Sequence, residues 1–120
     1  MGRFSVYTDA DIHGPVVEAL IQRGWDVVRA VDRFQQGTGD LVHFEEAAHL
    51  GRVLVSNDSD MKVLAEKWLD EGRLFPGLVW WPRKHYARMS ISDILWAFEE
   101  LASQDAPFGG YPIVHIAPRR

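Results

Sequence analysis

The chain has no cysteine. This excludes disulfide staples and thiolate metal sites, and it leads us to expect a reducing, cytoplasmic setting. Long apolar runs are also missing: nothing approaches the roughly 20 consecutive apolar residues that span a bilayer, and no apolar stretch with a basic lead resembles a secretory signal. A soluble protein without membrane partners is therefore expected. There is no excess of positive charge either. Thirteen Lys and Arg stand against 17 Asp and Glu, a formal net charge of -4. That balance speaks against simple electrostatic binding to nucleic acid, unless acids gathered in one place are neutralised by a bound cation. With 120 residues, 47% of them hydrophobic and 25% charged, the chain has enough apolar material for one folded domain over residues 1–120.

What is present is an alternation of short apolar runs with helical patterns. Phe4 to Tyr7 reads as a buried strand. Gly14-Pro15 opens a helix on which Val16, Val17, Leu20 and Ile21 share one side, and Gly24 closes it. WDVVRA, Trp25 to Ala30, is a second strand, followed by the polar loop DRFQQGTGD. Asp40 stands at an N-cap position before a helix carrying Phe44, Ala47, Ala48 and Leu50. Arg52 to Ser56 is a third strand, about Asp60 to Glu71 a helix, Leu78 to Trp81 a fourth strand. Ser90 to Asp93 begins a last helix, and Tyr111 to Ile116 is a fifth strand. This β-α alternation predicts an α/β fold: a three-layer α/β/α sandwich around a mainly parallel five-stranded sheet with right-handed crossovers.

Two of these strands end in the same way. FSVYTDADI places Asp9 and Asp11 after strand 1, and VLVSNDSDM places Asp58 and Asp60 after strand 3. Ligands of open parallel sheets bind outside the carboxyl ends of strands, where strand order reverses. If the order begins 2-1-3, the two acidic ends lie side by side, and Asp40 adds a carboxylate from the same rim. Crowded carboxylates repel one another, and a cation relieves them. Oxygen ligands without cysteine or a histidine pair select hard ions, Mg²⁺ or Mn²⁺, and such ions take phosphate oxygens. Aspartate is also a common cap and turn residue, so any one of these acids has a structural reading as well.

These residues carry a resemblance. YTDADIHGPVVEALIQRGWDVV, then Asp40, then GRVLVSNDSDM beginning eleven residues later, is similar to the PIN-like superfamily, and most of all to its short bacterial branch of toxin-type nucleases. The likeness covers about residues 4–64 and is looser beyond. It implies cleavage of RNA, commonly single-stranded, by an acidic site using Mg²⁺ or Mn²⁺, and in toxin members an antitoxin partner that blocks the site. Carried over residue by residue, it makes Asp9, Asp40 and Asp60 the metal-holding and catalytic acids, with Asp58 and Asp11 in support. His13 fits the variant of strand 1 seen in this branch, whereas Ser56 and Met61 stand where Thr and Phe are usual.

Further candidates follow from position alone. His13 and Asn57 lie beside the acids, and Arg83 and Lys84 lie in the basic stretch PRKHYAR; these four are the candidate substrate contacts. Trp80, Trp81, Tyr86 and Trp96 suggest a base-stacking surface, or a patch for a homodimer or an antitoxin, although strand alternation sends Trp80 and Trp81 to opposite faces. His43, His49, His85 and His115 form no zinc-type pair. Two other functions fit part of the pattern: a haloacid-dehalogenase-type phosphatase, for which Ile12-His13 suits poorly, and a catalytically silent interaction module.

Overall fold

A computed structural model describes residues 3–35 and 37–118; the basic Arg119-Arg120 tail lies outside the described residues. The elements are β1 (Val6–Thr8), α1 (Gly14–Gln22), β2 (Val27–Arg29), α2 (Asp40–His49), β3 (Val53–Ser56), α3 (Ser59–Asp70), β4 (Leu78–Trp80), α4 (Ile91–Ala102) and β5 (Ile113–His115). Two 3-10 helices, Ala30–Asp32 and Arg83–Ala87, lie on connections. All strand pairs are parallel, in the order β2-β1-β3-β4-β5. The expected α/β/α sandwich is found. No helix of the described residues is long and apolar enough to cross a membrane.

The strands alternate cleanly between two cores. Val6, Val53, Val55, Val79 and Trp81 face α1 and α4. Tyr7, Leu54, Leu78, Trp80 and Ile113 face α2 and α3. Period-2 alternation in strands covered on both sides produces this, and it explains why β1, β3 and β4 are buried throughout. Each fully buried aliphatic side chain contributes roughly 1.5–3 kcal/mol.

Several boundaries differ from the sequence expectation. Phe4 lies outside β1 because its ring joins an edge-on aromatic cluster with Trp25 at 5.0 Å and Phe108 at 5.1 Å. Trp25 in turn lies before β2 and packs edge-on against Phe98 at 5.6 Å. Asp40 does not cap α2: Gly39 is the N-cap residue and Asp40 the first helical residue. Its carboxylate is thus free of the helix start.

The hand of the connections is the larger correction. Steps β2 to β3 and β3 to β4 run the same way across the sheet and carry α2 and α3 on one face. The step β4 to β5 continues in that direction, yet α4 lies on the opposite face with α1. Its hand is therefore opposite to that of the other three crossovers, against the strong preference for right-handed units. The coverage of the sheet gives the reason. With one hand throughout, α1 alone would cover Val53, Val55, Val79 and Trp81; with α4 beside it, each face has two helices. To reach that face, the chain leaving β4 passes over the carboxyl ends of the strands as the 3-10 helix Arg83–Ala87.

At the opposite end of β4, a Cβ on Gly77 would stand 2.6 Å from the Phe108 ring. Gly77→Ala is expected to lower stability by about 1–3 kcal/mol through overpacking, read as a reduced urea midpoint with an unchanged slope; an unaltered midpoint would show that this close approach carries no energy.

Candidate metal and phosphate site

The strand order that would bring the acids together is the observed one: β1 and β3 are neighbours, with β2 on the far side of β1. The sheet reverses its winding between them, and their carboxyl ends open a cleft of about 400 Å³ lined by Asp9, Asp11, Asp40, Asp58, His43 and Phe34, among others. Asp40, Asp58 and Asp60 each offer a carboxylate oxygen, all within 4.8 Å of one another.

Each acid reaches this edge for a local reason. The backbone N–H of Asp9 still bonds to the Val55 carbonyl at 2.9 Å, so Asp9 continues the β1–β3 ladder. Its side chain is almost fully buried and fixed twice. Oδ1 accepts from the Ala10 N–H at 2.8 Å, and Oδ2 accepts from the Ser56 hydroxyl at 2.8 Å. The Ser56 hydroxyl also accepts from the Asp58 N–H at 3.0 Å, so one fully buried serine ties the two acidic strand ends together. Asp58 is the N-cap of α3, accepting from the Asp60 N–H at 2.9 Å. The cap is thus Asp58 and not Asp60, which leaves Asp60 exposed in the first helical turn. The Trp80 indole donates to the Asp58 carbonyl at 2.9 Å and pins the turn from above.

Asp11 has a different setting. One oxygen pairs with Arg83 at 3.1 Å, and the other, Oδ1, is buried without a hydrogen-bond partner among the described residues. Burial first, and then the charge of Asp9, push its carboxyl up to about 6, against the pull of the nearby Asn57 amide and of Arg83. That amide lies near enough to favour the anion without meeting hydrogen-bond geometry. The Asp40 carboxyl is also raised, by burial and then by the charges of Asp58, Asp9 and Asp60. Five carboxylates therefore sense one another. A buried oxygen lacking a proton donor, and two carboxyls raised by burial and by neighbouring acids, are what a cation in an oxygen-only donor set would relieve, so the residues present fit a hard divalent ion.

The predicted substrate contacts divide. Arg83 reaches the site, on the segment carried over it by the reversed crossover, but it is paired with Asp11. Lys84 is exposed on the same 3-10 helix. Asn57 is buried and structural: its Nδ2 donates to the Trp81 carbonyl at 2.9 Å, and its Oδ1 accepts from the Tyr86 hydroxyl at 2.7 Å. His13 holds the N-cap position of α1 with its backbone, its N–H donating to the Tyr86 oxygen at 3.2 Å and its ring 5.3 Å from the Tyr86 ring. The expected aromatic surface is absent as a patch: Trp80 and Trp81 lie in the two cores, which leaves Trp96 exposed on α4 and Tyr86 half-buried. Sequence reasoning did not foresee that Ser56 ties the acidic strand ends, that Tyr86 bridges Asn57 and His13, or that His43 lines the cleft. A serine between an apolar strand and an acidic turn was the only available signal for the first, and the others depend on long-range packing.

No family model, curated protein or solved structure matches the chain.

The raised Asp11 carboxyl has a sign that can be tested. The folded state keeps this proton up to about pH 6, while an unperturbed carboxyl loses it near 3.8. Below that window both states are protonated and above it both are ionised, so between them stability falls as pH rises. Unfolding of the metal-free protein should show this loss between about pH 4 and 6, and Asp11→Asn should remove that part of it. Parallel pH profiles for wild type and variant would contradict the assignment.

Proposed function

We propose that the chain is a metal-dependent ribonuclease that hydrolyses RNA phosphodiesters in the cleft between β1 and β3. The observation that carries this reading is the convergence of Asp40, Asp58 and Asp60 at the winding reversal of the sheet, with Asp9 and Asp11 lining the same cleft. RNA as the substrate follows the PIN-like resemblance of residues 4–64. An RNA phosphate meeting this cleft faces several carboxylates in a chain of net charge -4. Only a cation between them turns that repulsion into attraction.

Asp40, Asp58 and Asp60 would hold Mg²⁺ or Mn²⁺, and a bound ion of this kind lowers the pKa of water and stabilises charge on phosphate oxygens. The remaining groups act through position. Ser56 and the Ala10 amide hold the Asp9 carboxylate facing the cleft at a fixed angle. Arg83 places a positive charge at the rim, on Asp11 in the free protein and within reach of an arriving phosphate. Ala30, Val31 and Phe34 line the other wall, an apolar surface suited to ribose and base. The cleft volume of about 400 Å³ suits a single nucleotide of an unpaired strand better than a duplex.

Asp58→Asn is the informative variant, because asparagine caps helices as well as aspartate does and α3 keeps its start. Asp58→Asn and Asp40→Asn should each bind Mn²⁺ at least about tenfold more weakly by calorimetry and should lose about 100-fold or more in cleavage of single-stranded RNA. Metal binding and cleavage that survive both substitutions would sink the reading. A folded wild type that binds no Mn²⁺ would favour the interaction-module alternative.

A further inference from the structure

His43 is the histidine of the cleft wall, and no hydrogen bond ties its ring to the carboxylates among the described residues. It lies on α2, one turn beyond Asp40, and is 5% exposed. Its ring is held edge-on to Phe34 at 5.4 Å and tilted against Tyr7 at 6.2 Å. Among the described residues the ring's only hydrogen bond joins Nδ1 and the Tyr7 hydroxyl, at 3.1 Å.

The direction of that bond depends on the imidazole tautomer, and the burial of Tyr7 favours one of the two. Tyr7 is fully buried, and a phenol keeps its proton at neutral pH. A buried O–H must be donated. Nδ1 of His43 is its only acceptor among the described residues. With Nδ1 accepting, a neutral imidazole carries its own proton on Nε2. His43 lines the cleft, and this N–H is the ring's remaining donor.

We infer that His43 is a phosphate-binding residue of the cleft, a neutral imidazole that donates Nε2–H to a non-bridging oxygen of the substrate phosphate, with Tyr7 setting the tautomer. The inference deepens the phosphodiester reading above and rests on it. A neutral donor suits this place. A lysine or arginine here would pair with Asp40 or Asp58 and compete with the cation, whereas an imidazole N–H binds phosphate without discharging the carboxylates. It also stands on the α2 side of the cleft, away from Arg83, so a phosphate between them meets a donor from each side. Tyr7 is a positioning residue, acting only through the ring.

Two measurements test this, and the first needs no turnover. Two-bond ¹H–¹⁵N spectra of the labelled protein at pH 8 should show His43 as the Nε2–H tautomer and Tyr7→Phe as a mixture. With Mg²⁺ present, titrated inorganic phosphate should shift the Nε2 resonance saturably, and without Mg²⁺ much less. An Nδ1–H tautomer, or an Nε2 resonance indifferent to phosphate in protein that calorimetry shows to be loaded with Mg²⁺, overturns the inference. The second is kinetic. On a ten-residue oligouridylate, His43→Leu should raise KM about 10- to 100-fold, with Mn²⁺ affinity unchanged. His43→Gln, which restores an N–H, should recover part of the loss. Unchanged kinetics in His43→Leu also overturn it. Wild type that binds no divalent ion and cleaves no RNA counts against the ribonuclease itself, whereas loss of the phosphate response alone counts against His43.

Discussion

Repulsion among carboxylates is the constraint on which this structure turns. Asp9, Asp11, Asp40, Asp58 and Asp60 are brought to one edge of the sheet, where burial and then neighbouring charge raise the Asp11 carboxyl to about 6 and push that of Asp40 upward. Such an arrangement opposes folding in the absence of a cation, so the rest of the chain has to hold it. The Ser56 hydroxyl does so between the strand ends, and the Asp58 cap and the Trp80 indole do so at the start of α3. Behind them stand fully buried Val6, Tyr7 and Val55, whose removal from water offsets the electrostatic cost.

The reversed crossover links packing to the site. Placing α4 beside α1 solves a coverage problem on one face of the sheet, and it forces the Arg83–Ala87 segment across the carboxyl ends of the strands. Arg83 then meets Asp11, and Tyr86 bridges Asn57 and the start of α1. A connection of the usual hand would take the chain from β4 to the α2–α3 face and leave the rim of the cleft without its arginine. The same core demand therefore sets both the fold and the charge balance of the cleft.

Much of this was readable in the amino-acid sequence, for physical reasons. Apolar runs that stop at acids mark strand ends, so the two acidic junctions followed from pattern, while their adjacency hung on a strand order that only the structure supplies. Which aspartate caps α3 was not readable, because Asp58 and Asp60 both stand at plausible offsets from Met61. The face taken by α4 was hidden too: Leu95, Phe98 and Leu101 make the same apolar stripe whichever side of the sheet receives it. The buried settings of Asn57 and His43 were hidden for a related reason. A turn asparagine beside acids looks like a ligand contact, and a lone histidine at a helical position looks like surface. Only the packing of Trp81 and Tyr86 around the first, and of Tyr7 and Phe34 around the second, assigns them.

The most direct measurement of the central claim is the anomalous scattering of a crystal soaked in Mn²⁺. The account predicts a peak among the carboxylates of Asp40, Asp58 and Asp60, in the cleft that Asp9 and Asp11 also line. An ordered cleft with no peak, or a peak bound only elsewhere on the molecule, would contradict it and leave these aspartates as a cap, a turn and an unrelieved electrostatic strain.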